Sequence, residues 1–304
     1  MAVIGTGSAN GACSLLHAAG IGYGASLALD LPVNVRLLDA PPRREVDDPD
    51  GLLDAVVNAW TEAGHPSPEG EFHWAVRSSI PPRQGLKSSA AVAIAGLRAL
   101  AEATNLDIST PALVELAGAA QLAAGVSLTG AYDDAWAAAE QGWRLIDVGA
   151  TSAEERVVME GEGLSPEDWK VLILTGTERE KHPPLESFAP HASHFQHALL
   201  ALQEGRPLVA LTQNGRGVVA ATQDHQGRQL ANHAFVNGGR AAGITGSGPA
   251  IVIVVPAAMT YRGGDGGGGG GGGGDGGGGD GGGGGHRGQG DAGGVEMVME
   301  VAVE

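Results

Sequence analysis

Pro81-Pro82-Arg83-Gln84-Gly85-Leu86-Lys87-Ser88-Ser89-Ala90-Ala91 is the stretch on which the fold turns. The paired prolines disfavour helix before it, and Gly85 permits a tight backbone turn. Behind it, the alanine-rich run 90–102 favours helix, with Ser88 as its expected cap. A glycine turn that feeds a helix start leaves unpaired N–H groups and a partial positive charge, a setting that suits an anion. Lys87 adds a cation, and Ser88 and Ser89 add hydroxyls within reach of a phosphate or a Mg²⁺ ion. Over Gly-x-x-Ser alone, an ordinary capped helix after a proline loop reads the same way. The Walker A pattern is excluded, because Leu86 stands where that pattern needs glycine.

Upstream, residues 71–79 alternate Phe72, Trp74 and Val76 with polar neighbours, the pattern of a half-buried strand. Leu52, Leu53, Val56, Val57 and Trp60 recur at helical spacing before it. Strand, glycine loop and helix follow one another, which is the context a phosphate loop requires. Nearer the start, Gly5 to Gly11 reads as a small-residue loop and 12–18 as a short helix. Strands are expected over 25–31 and 33–38, divided at Pro32.

Downstream, Thr110-Pro111 opens a second helix, with Thr110 as its expected cap. The run Thr129-Gly130-Ala131-Tyr132-Asp133-Asp134-Ala135 then places two carboxylates among small apolar residues. Adjacent aspartates are often a solvated turn, but partial desolvation here would favour chemical use. Strands are expected at 143–148 and 171–174, and helices about 207–222 and 229–237. Gly243-Ile244-Thr245-Gly246-Ser247-Gly248-Pro249-Ala250 is a glycine loop ahead of the apolar strand 251–255.

Four stretches resemble, in order, segments of the GHMP kinase superfamily: Ser8-Ala9-Asn10-Gly11 its first motif, residues 81–91 its phosphate loop, residues 129–135 the segment with its catalytic aspartate, and residues 243–250 its third motif. Gly-Leu-Lys-Ser-Ser and Thr-Gly-Ala-Tyr-Asp-Asp-Ala resemble its archaeal-type shikimate kinases in particular. The resemblance implies an α+β GHMP kinase fold, with an N-terminal part like ribosomal protein S5 over 1–150. A ferredoxin-like C-terminal part would follow over 151–304. It implies ATP and Mg²⁺ as cofactors, residues 81–91 as the ATP-binding loop, and shikimate as the acceptor. By the same resemblance Asp133 is the catalytic base. Ser8, Asn10, Gly246, Ser247 and Gly248 would border the acceptor, and Ser89 and Asp134 would hold the metal. Two departures stand out. Related kinases carry a lysine in the first motif, and here no lysine precedes Lys87. They also carry a metal-binding glutamate before the aspartates, where this chain has Gln121 and Leu122. Homoserine kinase is the alternative enzyme, and a catalytically silent metabolite-binding GHMP protein is the alternative of another class.

Composition bounds the rest. The 304 residues carry a formal net charge of -17, which argues against a nucleic-acid partner. Lys87, Lys170 and Lys181 are the only lysines, and such an acidic, lysine-poor chain suits a salt-rich cytoplasm. The single cysteine, Cys13, cannot form an internal disulfide. No basic region precedes an apolar run at the start, and no apolar run is long enough to span a membrane, so neither a signal peptide nor a membrane partner is expected. Arg179, Lys181 and His182 form either a solvated basic loop or a reach over the phosphates. His191, His194 and His197 share a helical face, without the cysteine or carboxylate partners usual for zinc. Residues 263–294 hold 24 of the 52 glycines and are expected to be a disordered acidic linker. The alternation at 295–303 predicts a last strand that pairs with 251–255.

Overall fold

The structure, a computed structural model, describes residues 1–177, 183–259 and 297–301. Arg179, Lys181, His182 and the tract 263–294 lie outside the described residues.

A long antiparallel hairpin forms the spine. β1 (Val3–Leu16) pairs with β2 (Tyr23–Leu38) along nearly its whole length. The expected glycine loop and short helix at the start are therefore replaced by one continuous strand. The reason is close approach rather than turning: a Cβ on Gly7 would lie 2.0 Å from the Ala95 carbonyl oxygen, and one on Gly5 2.3 Å from that of Ala99. The strand's glycines let α2 (Ser88–Ala103) lie directly on its backbone. Pro32 does not divide β2 either. β4 (Trp143–Asp147) pairs with residues 23–27 of β2 and β3 (His73–Ser78) with residues 33–38. The proline, which lacks an N–H, falls between the two partners, beside a register shift opposite Asn10 and Ala12.

β5 (Val157–Gly161) completes this five-stranded sheet, in the order β1-β2-β4-β5 with β3 on β2. α1 (Leu52–Glu62), α2, α3 (Thr110–Ala123) and α4 (Asp133–Ala139) pack with it. Trp60, 1% exposed, fills the space under α1 and donates from its indole N–H to the Pro66 carbonyl at 2.7 Å. α3 is capped by Ser109, whose hydroxyl accepts from Ala112 N–H, one residue earlier than expected.

The second sheet runs β7-β8-β6-β9: β7 (Ala241–Ile244), β8 (Ile251–Pro256), β6 (Trp169–Thr175) and β9 (Met297–Val301). The last strand pairs with β6, not with 251–255 as the alternation suggested. β8 lies between β7 and β6, so both its edges are taken, and β9 adds to the outer edge of β6. Lys170 on β6 and Glu300 on β9 form an ion pair at 3.2 Å. α5 (Ala192–Gln203), α6 (Pro207–Thr222) and α7 (His225–Val236) belong to this half. α6 packs against both β7 and β1 and ties the sheets together. His191 ends a 3-10 turn ahead of α5, which carries His194 and His197. Among the described residues no group of three or more His, Cys, Asp or Glu could hold a metal ion. No described helix is long and apolar enough to cross a membrane.

Candidate active site

The phosphate-loop stretch makes the turn its glycine implied, and α2 begins at Ser88. Ser88 is not the cap. The N-cap is Lys87, in the left-handed region at φ 64°, with no side-chain capping bond. The first-turn N–H groups of α2 are thus left without a cap at the wall of a cleft. Gly85, at φ 78°, comes so close to the third glycine loop that a Cβ would lie 2.3 Å from the Thr245 carbonyl oxygen. Gly85→Ala is expected to destabilise the chain by at least about 1–2 kcal/mol from the left-handed backbone alone. It should also displace the loop and weaken anion binding. Thermal melting and nucleotide titration check this, and a variant with wild-type values in both would contradict the contact.

The cleft, of about 400 Å³, is lined by His17 and Ala18 from the β1–β2 connection and by Arg83, Gly85, Lys87, Ser88 and Ser89 from the loop and α2. Residues 125–129, Asp133 and Asp134, and Gly246, Ser247 and Gly248 complete most of its wall. The structure thereby brings together the phosphate loop, both aspartates and the third glycine loop. Pro81, Pro82, Gln84, Leu86, Ala90 and Ala91 do not line the cleft. Leu86, Ala90 and Ala91 are fully or almost fully buried. Gln84 grips Gly176 twice, donating to its carbonyl at 2.9 Å and accepting from its N–H at 3.1 Å. Ser8 and Asn10 stand within β1 and do not line the cleft. The Ser8 carbonyl instead accepts from Arg98 at 2.6 Å.

The chemistry concentrates at the N-terminus of α4. Lys87 Nζ lies 2.8 Å from Asp134 Oδ1, with only 10% of the lysine side chain exposed. The Ser26 hydroxyl sits 2.8 Å from Asp133 Oδ2 and 2.9 Å from Asp134 Oδ1, and donates to one of them at a time. Asp133 is 6% exposed. Burial first, then the charge of Asp134, pushes its carboxyl up to about 7, against the opposing pull of Lys87 and Ser26. Burial acts the same way on Asp134, but the charge and hydrogen bond of Lys87 outweigh it and hold Asp134 below the usual carboxylate range. Lys87 is itself desolvated, yet the two carboxylates keep it above its ordinary value. The pair therefore holds its charge on Asp134 and its titratable proton on Asp133. Lys87 reaches the aspartates from the phosphate loop, far from them in sequence.

Sequence reasoning passed over four contributors. Ser26 lies in β2 beside Ala25 and Leu27, with no motif to mark it. Gln121, 3% exposed, accepts from the Ser89 hydroxyl at 3.3 Å and donates to the Ala117 carbonyl, so its amide oxygen faces Ser89. His17 lines the cleft, and its Nδ1 accepts from Ala19 N–H at 3.2 Å, which leaves the proton on Nε2. Burial and then Lys87 push this imidazole down to about 3, so it remains uncharged. Thr245 is the fourth, and its hydroxyl donates to the Gly85 carbonyl at 3.0 Å. Cys13 lies fully buried near Lys87, and burial pushes its thiol up to about 12, which leaves it inert.

An uncapped helix N-terminus, a lysine set on an aspartate pair and a second glycine loop against the first make a cleft suited to a phosphorylated ligand. The comparisons agree. Residues 52–142 match the GHMP kinases N terminal domain. The chain superimposes on mevalonate kinase of Methanococcus jannaschii with a TM-score of 0.62 at 15% identity, over 82% of this chain and 90% of that one. The chain has the fold of the GHMP kinases, and its match to their N-terminal domain spans the phosphate loop and both aspartates. In sequence, the chain is 31% identical over 179 residues to shikimate kinase of Pyrococcus abyssi, covering 56% of this chain and 62% of that protein. It is 33% identical over 154 residues to shikimate kinase of Pyrococcus furiosus, covering 47% and 55%. The chain spans less than two thirds of the length of these curated relatives.

Proposed function

We propose that this chain is an ATP-dependent small-molecule kinase whose acceptor is shikimate and whose product is shikimate 3-phosphate. The observation that carries the kinase reading is the Lys87–Asp134 ion pair with Asp133 beside it, set against the open end of α2. The N–H groups of α2 and Lys87 receive the phosphates of the nucleotide. Asp133 takes the proton of the acceptor hydroxyl as that oxygen bonds to the γ-phosphorus and the bond to the departing ADP oxygen breaks. A carboxyl near 7 suits that task at neutral pH. The uncharged His17 offers an N–H donor to an oxygen of the acceptor.

Mg²⁺ takes oxygen donors and keeps several waters, so one or two carboxylates plus phosphate suffice for it. The Ser89 hydroxyl, the Gln121 amide oxygen and the Asp134 carboxylate are donors of that kind. The ion would neutralise charge on the transferring phosphoryl group.

Shikimate as acceptor rests on the named relatives, not on any contact in the cleft. The acidic surplus fits a salt-rich cytoplasm, so the assay belongs in high salt. With Mg²⁺ and ATP, the purified protein should turn over shikimate in preference to homoserine and mevalonate. Equal or faster turnover of homoserine would overturn the acceptor. Nucleotide binding without turnover of any of the three would favour a silent metabolite-binding protein.

A further inference from the structure

Three consecutive carbonyls of the phosphate loop are each taken by a donor from elsewhere in the chain. Gln84 O accepts from Ala250 N–H at 3.2 Å, and Leu86 O accepts from Ala12 N–H at 3.1 Å. Gly85 O, between them, accepts from the Thr245 hydroxyl at 3.0 Å. The outer two bonds are main chain to main chain and arise from the fold itself. The middle one alone depends on a side chain. Thr245 is 1% exposed, and its hydroxyl also accepts from Ser14 N–H at 3.0 Å. Ser14 answers by accepting from Gly246 N–H on its own hydroxyl at 3.1 Å. One oxygen thus joins β1, the third glycine loop and the phosphate loop at the residue that turns left-handed two positions before Lys87.

We propose that Thr245 is a positioning residue that sets the Gly85 turn and so places the Lys87 ammonium against Asp134. A peptide plane points its C=O and its N–H opposite ways. Fixing the Gly85 carbonyl inward therefore fixes the next N–H outward and orients the run into Lys87. Without the Thr245 hydroxyl, the half-buried Gly85 carbonyl loses its inward bond and turns to another donor, since an acceptor left unmet costs up to about 1–3 kcal/mol. Lys87 moves with it. Thr245 needs no contact with any ligand for this role.

Three lysines make the test direct. Brief amine acylation of the native protein, read by peptide mass spectrometry, gives the labelling rate of Lys87 relative to Lys170. Lys87 is held in its ion pair and should label slowly. Thr245→Val keeps the shape but loses the hydroxyl, and should raise that relative rate several-fold and weaken nucleotide binding by about 5-fold or more. Thr245→Ser restores the hydroxyl and should return both to within about twofold of wild type. Ser14→Ala removes only the bond from Gly246 N–H, and should lower the melting temperature while Lys87 stays protected. If Thr245→Val does not fold, Thr245→Ala carries the same expectation. Unchanged Lys87 labelling in a folded Thr245→Val or Thr245→Ala chain overturns the proposal, as does faster labelling in Thr245→Ser or Ser14→Ala. The inference rests on the kinase reading only for its consequence in nucleotide binding. The labelling uses no ligand, so it stands or falls apart from whether any acceptor is phosphorylated.

Discussion

Asp133→Asn lowers kcat by on the order of 10²-fold or more, the usual scale for a positioned acid or base. Nucleotide affinity changes little. Asparagine keeps the shape and the hydrogen bond to Ser26 but can neither take the acceptor's proton nor carry charge. The pH profile supplies the more specific sign. With its carboxyl pushed up to about 7, Asp133 loses its proton as pH rises through neutrality, so wild-type activity climbs across that range. The variant loses that limb. Stability moves the other way. An acid whose folded pKa is raised binds its proton more tightly when folded, between its ordinary value of 3.8 and about 7. Folding stability due to Asp133 therefore falls as pH rises through that window, and the variant escapes this loss. At pH 8 it should be no less stable than the parent. Kinetics and melting at pH 6 and 8, with Asp134→Asn in parallel, decide the matter. A far greater loss of kcat in Asp134→Asn would hand the base's role to Asp134.

Lys87→Ala weakens nucleotide binding by roughly 10- to 100-fold, the worth of a charge-assisted contact of about 1.5–3 kcal/mol. It also removes the cation that opposes the rise of the Asp133 carboxyl. Without it the ionised form is disfavoured further, so the residual activity climbs at higher pH than in the parent. The variants therefore give distinct patterns: one loses the pH limb and keeps nucleotide affinity, the other loses affinity and moves the limb upward. A Lys87→Ala protein with parental affinity and an unmoved limb would remove the lysine from the mechanism.

Much of the fold could be read from the chain because local periodicity and turn chemistry agree over most elements. α1, α2, α3, β3 and β4 fall within a few residues of their expected bounds. β1 was misread because its glycines serve a neighbouring helix, and close approach leaves the same letters as a turn. β7 was missed because four apolar residues carry no usable period, and β5 because its alternation sits in an acidic stretch. The partner of β9 depends on which strand edge is open, a fact of topology. In the site, the loop and the aspartate pair were legible as motifs. The ion pair that joins Lys87 to Asp134 was not, nor was Ser26 beneath both aspartates. These residues are far apart in sequence, and only the stacking of α2 and α4 on the hairpin makes them neighbours.

The pairing of β9 with β6 also sets an order in time. On the ribosome, β6 emerges first, and β8 arrives later to cover one of its sides. β9 follows β6 by roughly 120 residues, which at about 5–20 residues per second is some 6–24 s of synthesis. Throughout that interval the far side of β6 carries unpaired backbone groups, an invitation to any passing strand. Lys170, the residue that later meets Glu300, already stands on β6 during the wait. A charge on an otherwise apolar strand is a deterrent to mispairing, so the same lysine guards the nascent edge and then marks the register of the strand that closes it.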